Sequence, residues 1–242
     1  LHAVAVVKAG VFTVLMVSVY IFGIDTIADL VVSDWLVIIA ALTIILASAI
    51  ALRKDNFKAR LAYSTVSQLS YITMGAMLGI AAGAIGGGLH IVMHAFGKIT
   101  LFFCAGAVLV TAHKSNISEL NGIGRRMPWT MGAFAIGAVS MIGAPPFAGF
   151  ISKWYLLGGA FQSEHWLAVG AIVISTLLNA AYFMPIVYAA FFKDEDPQHS
   201  HGEHGEAPLP IVLAMVITAS ATLLIFFFPG VPLTLVEQMV NG

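Results

Sequence analysis

The chain has 242 residues and a formal net charge of −1; only 10% of its side chains are charged and 60% are hydrophobic. With a mean hydropathy of +0.95, this excludes an ordinary soluble domain, about 25% charged, and implies an all-α polytopic membrane protein. A single cysteine, Cys104, excludes an internal disulfide framework and any cysteine-rich metal or iron–sulfur site.

Seven apolar segments can be marked, at about 1–23, 35–52, 61–81, 87–112, 128–162, 167–190 and 209–229. They are read as one transmembrane domain over 1–242. The chain opens LHAVAVVKAG, in the middle of an apolar stretch, without an initiator Met or a charged leader. That opening reads as a truncation. His2 and Lys8 lie in it, six apart and so not on one helical face. The third segment, LAYSTVSQLSYITMGAMLGIA, sets Ser64, Ser67 and Tyr71 along one stripe. Such residues can hold water, but more commonly they glue helices together.

The fourth segment contains GGLHIVMHAFGKITLFF, with His90, His94 and Lys98 at i, i+4 and i+8. Each step turns a helix by about 40° net, so the three share one face and cover about 12 Å of its axis. Histidine titrates near neutrality, and a His–His–Lys face can pass protons with bridging water. Two other readings stand beside this one. Each histidine can simply hydrogen-bond a neighbouring helix. The HxxxH spacing can hold zinc, but no third ligand is evident on that face, so no metal is expected.

The fifth segment, 128–162, is 35 residues long. As one helix it would reach about 52 Å, too long for a hydrocarbon core of about 30 Å, and two full spans would each be too short. In its middle lies GAPPFAGF, with Pro145 and Pro146 adjacent. Two prolines remove two donors and clash with the preceding turn. The segment is therefore expected to be one span broken near mid-membrane, its irregular backbone buried in protein or facing water. Lys153 follows the break directly.

The charges sort by loop. Loops 53–60, 113–127 and 191–208 hold eight Lys and Arg residues, whereas Asp25, Asp29, Asp34 and Glu164 lie in the opposite loops with no Lys or Arg. By the positive-inside rule the first set is cytoplasmic and the C-terminus lies outside. Loop 191–208 is acidic and carries the tract HSHGEHGEAP, a weak metal-binding composition at most. The remaining three lysines, Lys8, Lys98 and Lys153, all fall inside predicted spans, which contain no Asp or Glu. Burying an ionisable group there costs at least about 2.5–3.5 kcal/mol on the insertion scale. Three such lysines on three spans are hard to credit to packing, and a lysine that changes its protonation with its surroundings is what a proton relay needs.

Four strings, LHAVAVVKAG, RLAYSTVSQLSY, LHIVMHAFGKITLFFCAG and GAPPFAGFISK, taken in order, resemble the antiporter-like membrane subunits of respiratory complex I and of Mrp-type cation/proton antiporters. The tail, with HGEAPLPIVLAMVITA, looks closer to the Mrp type than to complex I. The resemblance implies a fold of fourteen spans in two inverted repeats, of which this chain is similar to spans eight to fourteen. It also implies roles for matched positions. Lys8 links the two half-channels, His90, His94 and Lys98 form the central hydrophilic axis, and Lys153 ends the half-channel toward the far side. The glutamate and lysine of the family's first repeat have no counterpart here.

The function expected on these grounds is that of a proton-translocating subunit of a monovalent cation/proton antiporter of the Mrp type. It would work through the relay Lys8, His90, His94, Lys98 and Lys153, with other membrane subunits as partners and protons and sodium as cargo. The alternatives are a proton-pumping subunit of NADH:quinone oxidoreductase and a degenerate, non-transporting structural subunit. There is no dinucleotide fingerprint, P-loop or nucleophile elbow. No cofactor, nucleic acid or catalytic chemistry of the chain's own is expected, and enzyme activity could enter only through an assembled complex. The expected location is the cell's inner (plasma) membrane.

Overall fold

The computed structural model describes residues 5–195 and 205–241. His2 and the histidines at 199, 201 and 204 lie outside these residues. The described residues form eleven α-helices: α1 (Val7–Met16), α2 (Ile24–Asp29), α3 (Val31–Arg53), α4 (Phe57–Met77), α5 (Ala81–Ala112), α6 (Ile123–Arg126), α7 (Pro128–Ile142), α8 (Gly149–Gln162), α9 (Trp166–Phe192), α10 (Leu209–Phe227) and α11 (Gly230–Asn241). Helix α1 runs on through Phe22 with looser π-type winding. Among the described residues each predicted apolar segment is mainly helical, and 128–162 is interrupted between Ile142 and Gly149. Four helices, α3, α5, α9 and α10, are long and apolar enough to cross a membrane, and Val7–Phe22 and Pro128–Ile142 are shorter apolar helices.

The helix ends follow local chemistry. Asn56 caps α4 by accepting from the Ala59 amide at 3.0 Å. Pro128 opens α7 at a first-turn position, where its missing N–H costs nothing. Glu206 adds a carboxylate there, accepting from the Trp129 amide at 2.8 Å. Gly143 ends α7 in the left-handed region, φ 85°.

Helix α5 is the centre of the molecule, packed on α4, α7, α8, α10 and α11. Glycines bring the backbones close where α4, α5 and α8 meet. A Cβ on Gly75 would stand 2.5 Å from the Gly83 carbonyl, and one on Gly159 would stand 2.6 Å from the Gly83 amide nitrogen. Small residues at such crossings are the usual basis of helix association in lipid. Gly159→Ala is therefore expected to cost about 1–3 kcal/mol by overpacking. Gly158→Ala, with open space around the new methyl, should be neutral or stabilising. Thermal unfolding of the two detergent-solubilised variants checks the pair, and equal effects would refute the crossing argument.

The two loop sets lie at opposite ends of α3. At one end Asp55 accepts from Ser118 Oγ at 2.7 Å, Arg125 pairs with Asp194 at 3.0 Å and Lys114 pairs with Glu195 at 3.5 Å. Loops 53–60 and 113–127 and the start of 191–208 thus share one face. At the other end His165 meets Asp34 at 2.9 Å. Helix α11 lies beyond the last predicted apolar segment. It packs Val236 against Gly88 of α5, where a Cβ would collide at 2.6 Å.

Candidate functional site

The row on α5 is buried throughout: His90 is 1% exposed, and His94 and Lys98 are 0% exposed. The His90 and His94 rings lie 5.8 Å apart between centroids, as the i, i+4 spacing requires. His90 Nε2 faces Gln68 Oε1 at 3.0 Å, and Nδ1 faces Ser152 Oγ at 2.8 Å. An amide oxygen only accepts, so Nε2 carries hydrogen. The Ser152 hydroxyl can donate to Nδ1, or turn to the Gly149 carbonyl at 3.2 Å and accept from a protonated Nδ1. His90 is thereby matched to partners in both charge states. Neither ring nitrogen of His94 meets a protein partner among the described residues.

Lys98 marks one end of the row. Its Nζ donates to Ser64 Oγ and to the Leu61 carbonyl at 3.3 Å. It also lies 5.8 Å from the centre of the Phe183 ring, within cation–π range.

Lys153 marks the other end. Its Nζ donates to the Met141 and Ile142 carbonyls at 3.2 and 2.8 Å and to Thr176 Oγ1 at 3.4 Å. The two carbonyls belong to the last turn of α7, left unpaired because the helix stops there. The ammonium thus caps the negative end of a helix dipole at the break. The Lys153 stem crosses Gly143 so closely that a Cβ on that glycine would meet Lys153 Cδ at 2.6 Å. The break is otherwise tied to α10, with the Ala148 amide donating to the Thr222 carbonyl at 2.9 Å. Pro145 and Pro146 themselves are exposed. They end the helix but do not line the row.

Gln68 joins His90 to the Lys153 end of the row and is absent from the candidates drawn from sequence. It is fully buried, accepts from His90, and its Nε2 donates to the Met141 carbonyl at 3.4 Å. That carbonyl is also a partner of Lys153. Gln68 stands four residues after Ser64, a net turn of about 40°, whereas Ser67 is turned about 60° the other way. Ser67 accordingly faces α3, bonded to Ser48 Oγ at 2.8 Å and to the Ile44 carbonyl at 3.0 Å. Ser64 and Tyr71 do face the row. Tyr71 lies 5.5 Å from the His90 ring, and Lys153 Nζ sits 5.3 Å from the centre of the Tyr71 ring. Lys8 is buried on α1, its Nζ without a protein partner among the described residues, within electrostatic reach of His90, His94 and Lys98.

Lys8, His90, His94, Lys98 and Lys153 are thus all buried basic side chains. The four ion pairs Lys114–Glu195, Arg125–Asp194, Arg126–Glu195 and His165–Asp34 lie in the loops, in the short helix α6 or at the first turn of α3, away from the row. Like charges at this range disfavour one another, so protonating one member raises the cost of protonating the next. Gln68→Leu removes the link between His90 and the Lys153 carbonyl partner but leaves Ser152 to hold the ring. One lost buried hydrogen bond should lower stability by about 0.5–1.5 kcal/mol. An unchanged thermal midpoint of the detergent-solubilised variant would show that this bond contributes nothing.

A bundle of apolar helices with a broken span and a buried row of lysines and histidines defines an integral, multi-pass membrane protein of the antiporter-like kind. The family model described as NADH:quinone oxidoreductase/Mrp antiporter, TM, matches residues 1–179, and the chain belongs to that family. It is 40% identical over 171 residues to NADH-quinone oxidoreductase subunit N of Desulforudis audaxviator, an alignment covering 71% of this chain and 34% of that protein. It is 34% identical over 233 residues to NADH-quinone oxidoreductase subunit L of Rickettsia bellii, covering 95% of this chain and 34% of that protein. Among solved structures it resembles a chain of the Mrp complex from Dietzia sp. DQ12-45-1b, with TM-score 0.77, 21% identity, and coverage of 89% of this chain and 48% of that one. It also resembles a chain of respiratory complex I from Thermus thermophilus, with TM-score 0.80, 22% identity, and coverage of 97% and 50%. The chain spans about a third of the length of these curated relatives and about half of these structural ones. The likeness is shared between complex I and Mrp proteins and does not choose between them.

Proposed function

We propose that this chain is the part of a proton-translocating subunit that carries protons through the buried row Lys8, His90, His94, Lys98 and Lys153. The subunit would belong to a complex of the Mrp or complex I type. The observation that carries the reading is the row itself. Buried lysines stand at both of its ends, His90 is tied to the Lys153 end through Gln68, and no acidic side chain lies among them, so charge has no fixed partner on which to settle. Protonation alternates between Lys98 and Lys153, because each excess proton repels the next. Other membrane subunits supply the driving force. In an Mrp-type complex this is sodium exchanged for protons, the finer reading favoured by the tail HGEAPLPIVLAMVITA at 204–219. In a complex I-type assembly it is redox energy delivered from elsewhere. The curated relatives of the complex I type keep this second reading open beside the first.

The reading takes the chain as one transmembrane unit in the inner (plasma) membrane, with loops 53–60, 113–127 and 191–208 cytoplasmic and the C-terminus outside, on the strength of the positive-inside rule. The test is proton flux in proteoliposomes holding the full-length protein in its complex, with and without a sodium gradient. Sodium-driven flux favours the Mrp-type reading. Flux that needs a quinone and a reductant favours the complex I type. No flux under either condition defeats the proposal and leaves a structural subunit.

A further inference from the structure

Helix α9 looks wholly apolar by hydropathy, yet Ser175, Asn179 and Tyr182 stand at i, i+4 and i+7 on one of its faces. All three are fully buried. Thr176 stands beside Ser175 and meets Lys153. Its hydroxyl behaves differently from those of other helical threonines. Thr13, Thr43, Thr65, Thr100 and Thr218 each return theirs to the carbonyl four residues earlier, at 2.7 to 3.0 Å. The Thr176 oxygen instead accepts from Lys153 Nζ at 3.4 Å, and among the described residues no carbonyl takes its proton.

The neighbouring serine fixes α9 at this depth. Ser67 gives its proton to the Ile44 carbonyl at 3.0 Å, so it accepts from Ser48 at 2.8 Å, and Ser48 accepts from Ser175 at 3.2 Å. This run of hydroxyls ends on a carbonyl and ties α9 to α3 and α4, which leaves Thr176 held against α8.

The partners of Lys153 differ in what they can do. The Met141 and Ile142 carbonyls only accept. As an ammonium, Lys153 has three N–H groups and places one on each partner. As a neutral amine it has two N–H groups, which the carbonyls take, and a lone pair that needs a donor. Of the three partners only the Thr176 hydroxyl has a proton to give. A rotation of that hydroxyl therefore satisfies Lys153 in both states. The proton that comes and goes is the one on the Thr176 side, which is also the longest of the three bonds. Lys153 and Thr176 line a cavity of about 280 Å³, together with Gly143 and apolar side chains that include Trp154 and Leu177. Trp154 and Leu177 are 63% and 67% exposed, so the cavity opens to the outside of the bundle. It has room for water, and the two side chains offer polar partners.

We propose that Lys153 exchanges its proton through the Thr176 hydroxyl with water in this cavity. On release the Lys153 N–H bond breaks and its proton bonds to Thr176 Oγ1, while the hydroxyl's own proton passes to a water molecule. The new O–H then donates to the lone pair left on nitrogen. Uptake is the reverse. This rests on the relay reading above and names the contact at which its Lys153 end meets water.

The experiment is proton flux by the full-length protein in its reconstituted complex, measured in H2O and in D2O, with assembly followed by size-exclusion chromatography. Thr176→Val keeps the shape and removes the hydroxyl. Flux should fall at least about tenfold, and the ratio of flux in H2O to flux in D2O should rise, because proton transfer at Lys153 becomes the slow step. Thr176→Ser returns the hydroxyl and should recover most of the loss. Thr176→Ala takes the place of Thr176→Val if the latter does not assemble. Wild-type flux without the hydroxyl, a serine variant as slow as the valine one, or slow flux with an unchanged isotope ratio overturns the inference. Lys153→Arg in the same assay separates the two levels. If that variant transports normally, the relay reading itself has failed. If it is inactive while Thr176→Val runs at the wild-type rate, only the role of Thr176 has failed.

Discussion

Lys98→Ala is expected to reduce proton-coupled transport by the full-length protein about a hundredfold or more while the complex still assembles, in line with the loss of a positioned proton-transfer group. The reason lies in what surrounds the ammonium. Its partners are a hydroxyl, one carbonyl and the face of Phe183, all of which tolerate its removal. Ser64 keeps the Leu61 carbonyl as an acceptor, and the Leu61 carbonyl lies in the second turn of α4, where the helix ladder already serves it. The truncation leaves a cavity, and deletion of a large buried side chain costs about 2–5 kcal/mol. Taking a buried ammonium out of an apolar surround offsets part of this. Transport should therefore fall much further than stability. Proton uptake in proteoliposomes, read beside the thermal midpoint of the same sample, checks the expectation. Wild-type flux in Lys98→Ala would end the relay reading, and a variant that unfolds would show Lys98 to be structural.

Lys98→Arg sharpens the point. Guanidinium keeps the charge but does not release its proton in the physiological range. A counter-charge role survives that change, whereas a relay role does not. The expected result is an assembled, stable and inactive protein.

The row on α5 was legible because its chemistry and its period coincide. Two imidazoles and an ammonium at a spacing of four are polar exceptions in an apolar stretch, and a helix puts them on one face. The break in 128–162 was legible for a similar reason: a 35-residue apolar run is the wrong length for either one helix or two, and Pro145–Pro146 gives the place. Gln68 and the α9 stripe were not legible. Ser64, Ser67 and Gln68 sit within one turn and a half of α4, and only the neighbours decide which of them face α5 and which face α3. On α9, Asn179 and Tyr182 are diluted among apolar residues, and hydropathy averages them away. A period-of-3.6 search for polar residues inside predicted spans would have found Ser175, Asn179 and Tyr182. The partners of Lys153 are legible only in part. A lysine after a broken helix suggests a cap, but which carbonyls it takes depends on how the chain turns at Gly143.

Lys153 is the residue where structure and transport are hardest to separate, and its variants should behave differently from those of Lys98. It bonds to two carbonyls at the end of α7 that have no helical partner. Non-helical backbone at membrane depth persists only where protein or water satisfies it. Lys153→Ala is thus expected to abolish proton flux and also to lower stability, by about 1–3 kcal/mol for each buried carbonyl left unpaired. Gln68 still reaches Met141, so the larger part of the cost should fall on Ile142. Lys153→Arg should recover most of the stability, because guanidinium can cap a helix C-terminus, but it should not recover flux, because it keeps its proton. Lys153→Met keeps the stem over Gly143 and removes the cap, so it should share the stability loss of Lys153→Ala at a smaller cavity cost. The measurements are thermal unfolding of the detergent-solubilised complex and proton flux on the same preparations. Full stability in Lys153→Ala would mean that the carbonyls find other partners and that the cap is incidental. Flux in Lys153→Arg would mean that Lys153 serves the path only as a fixed charge, with the proton passing it by.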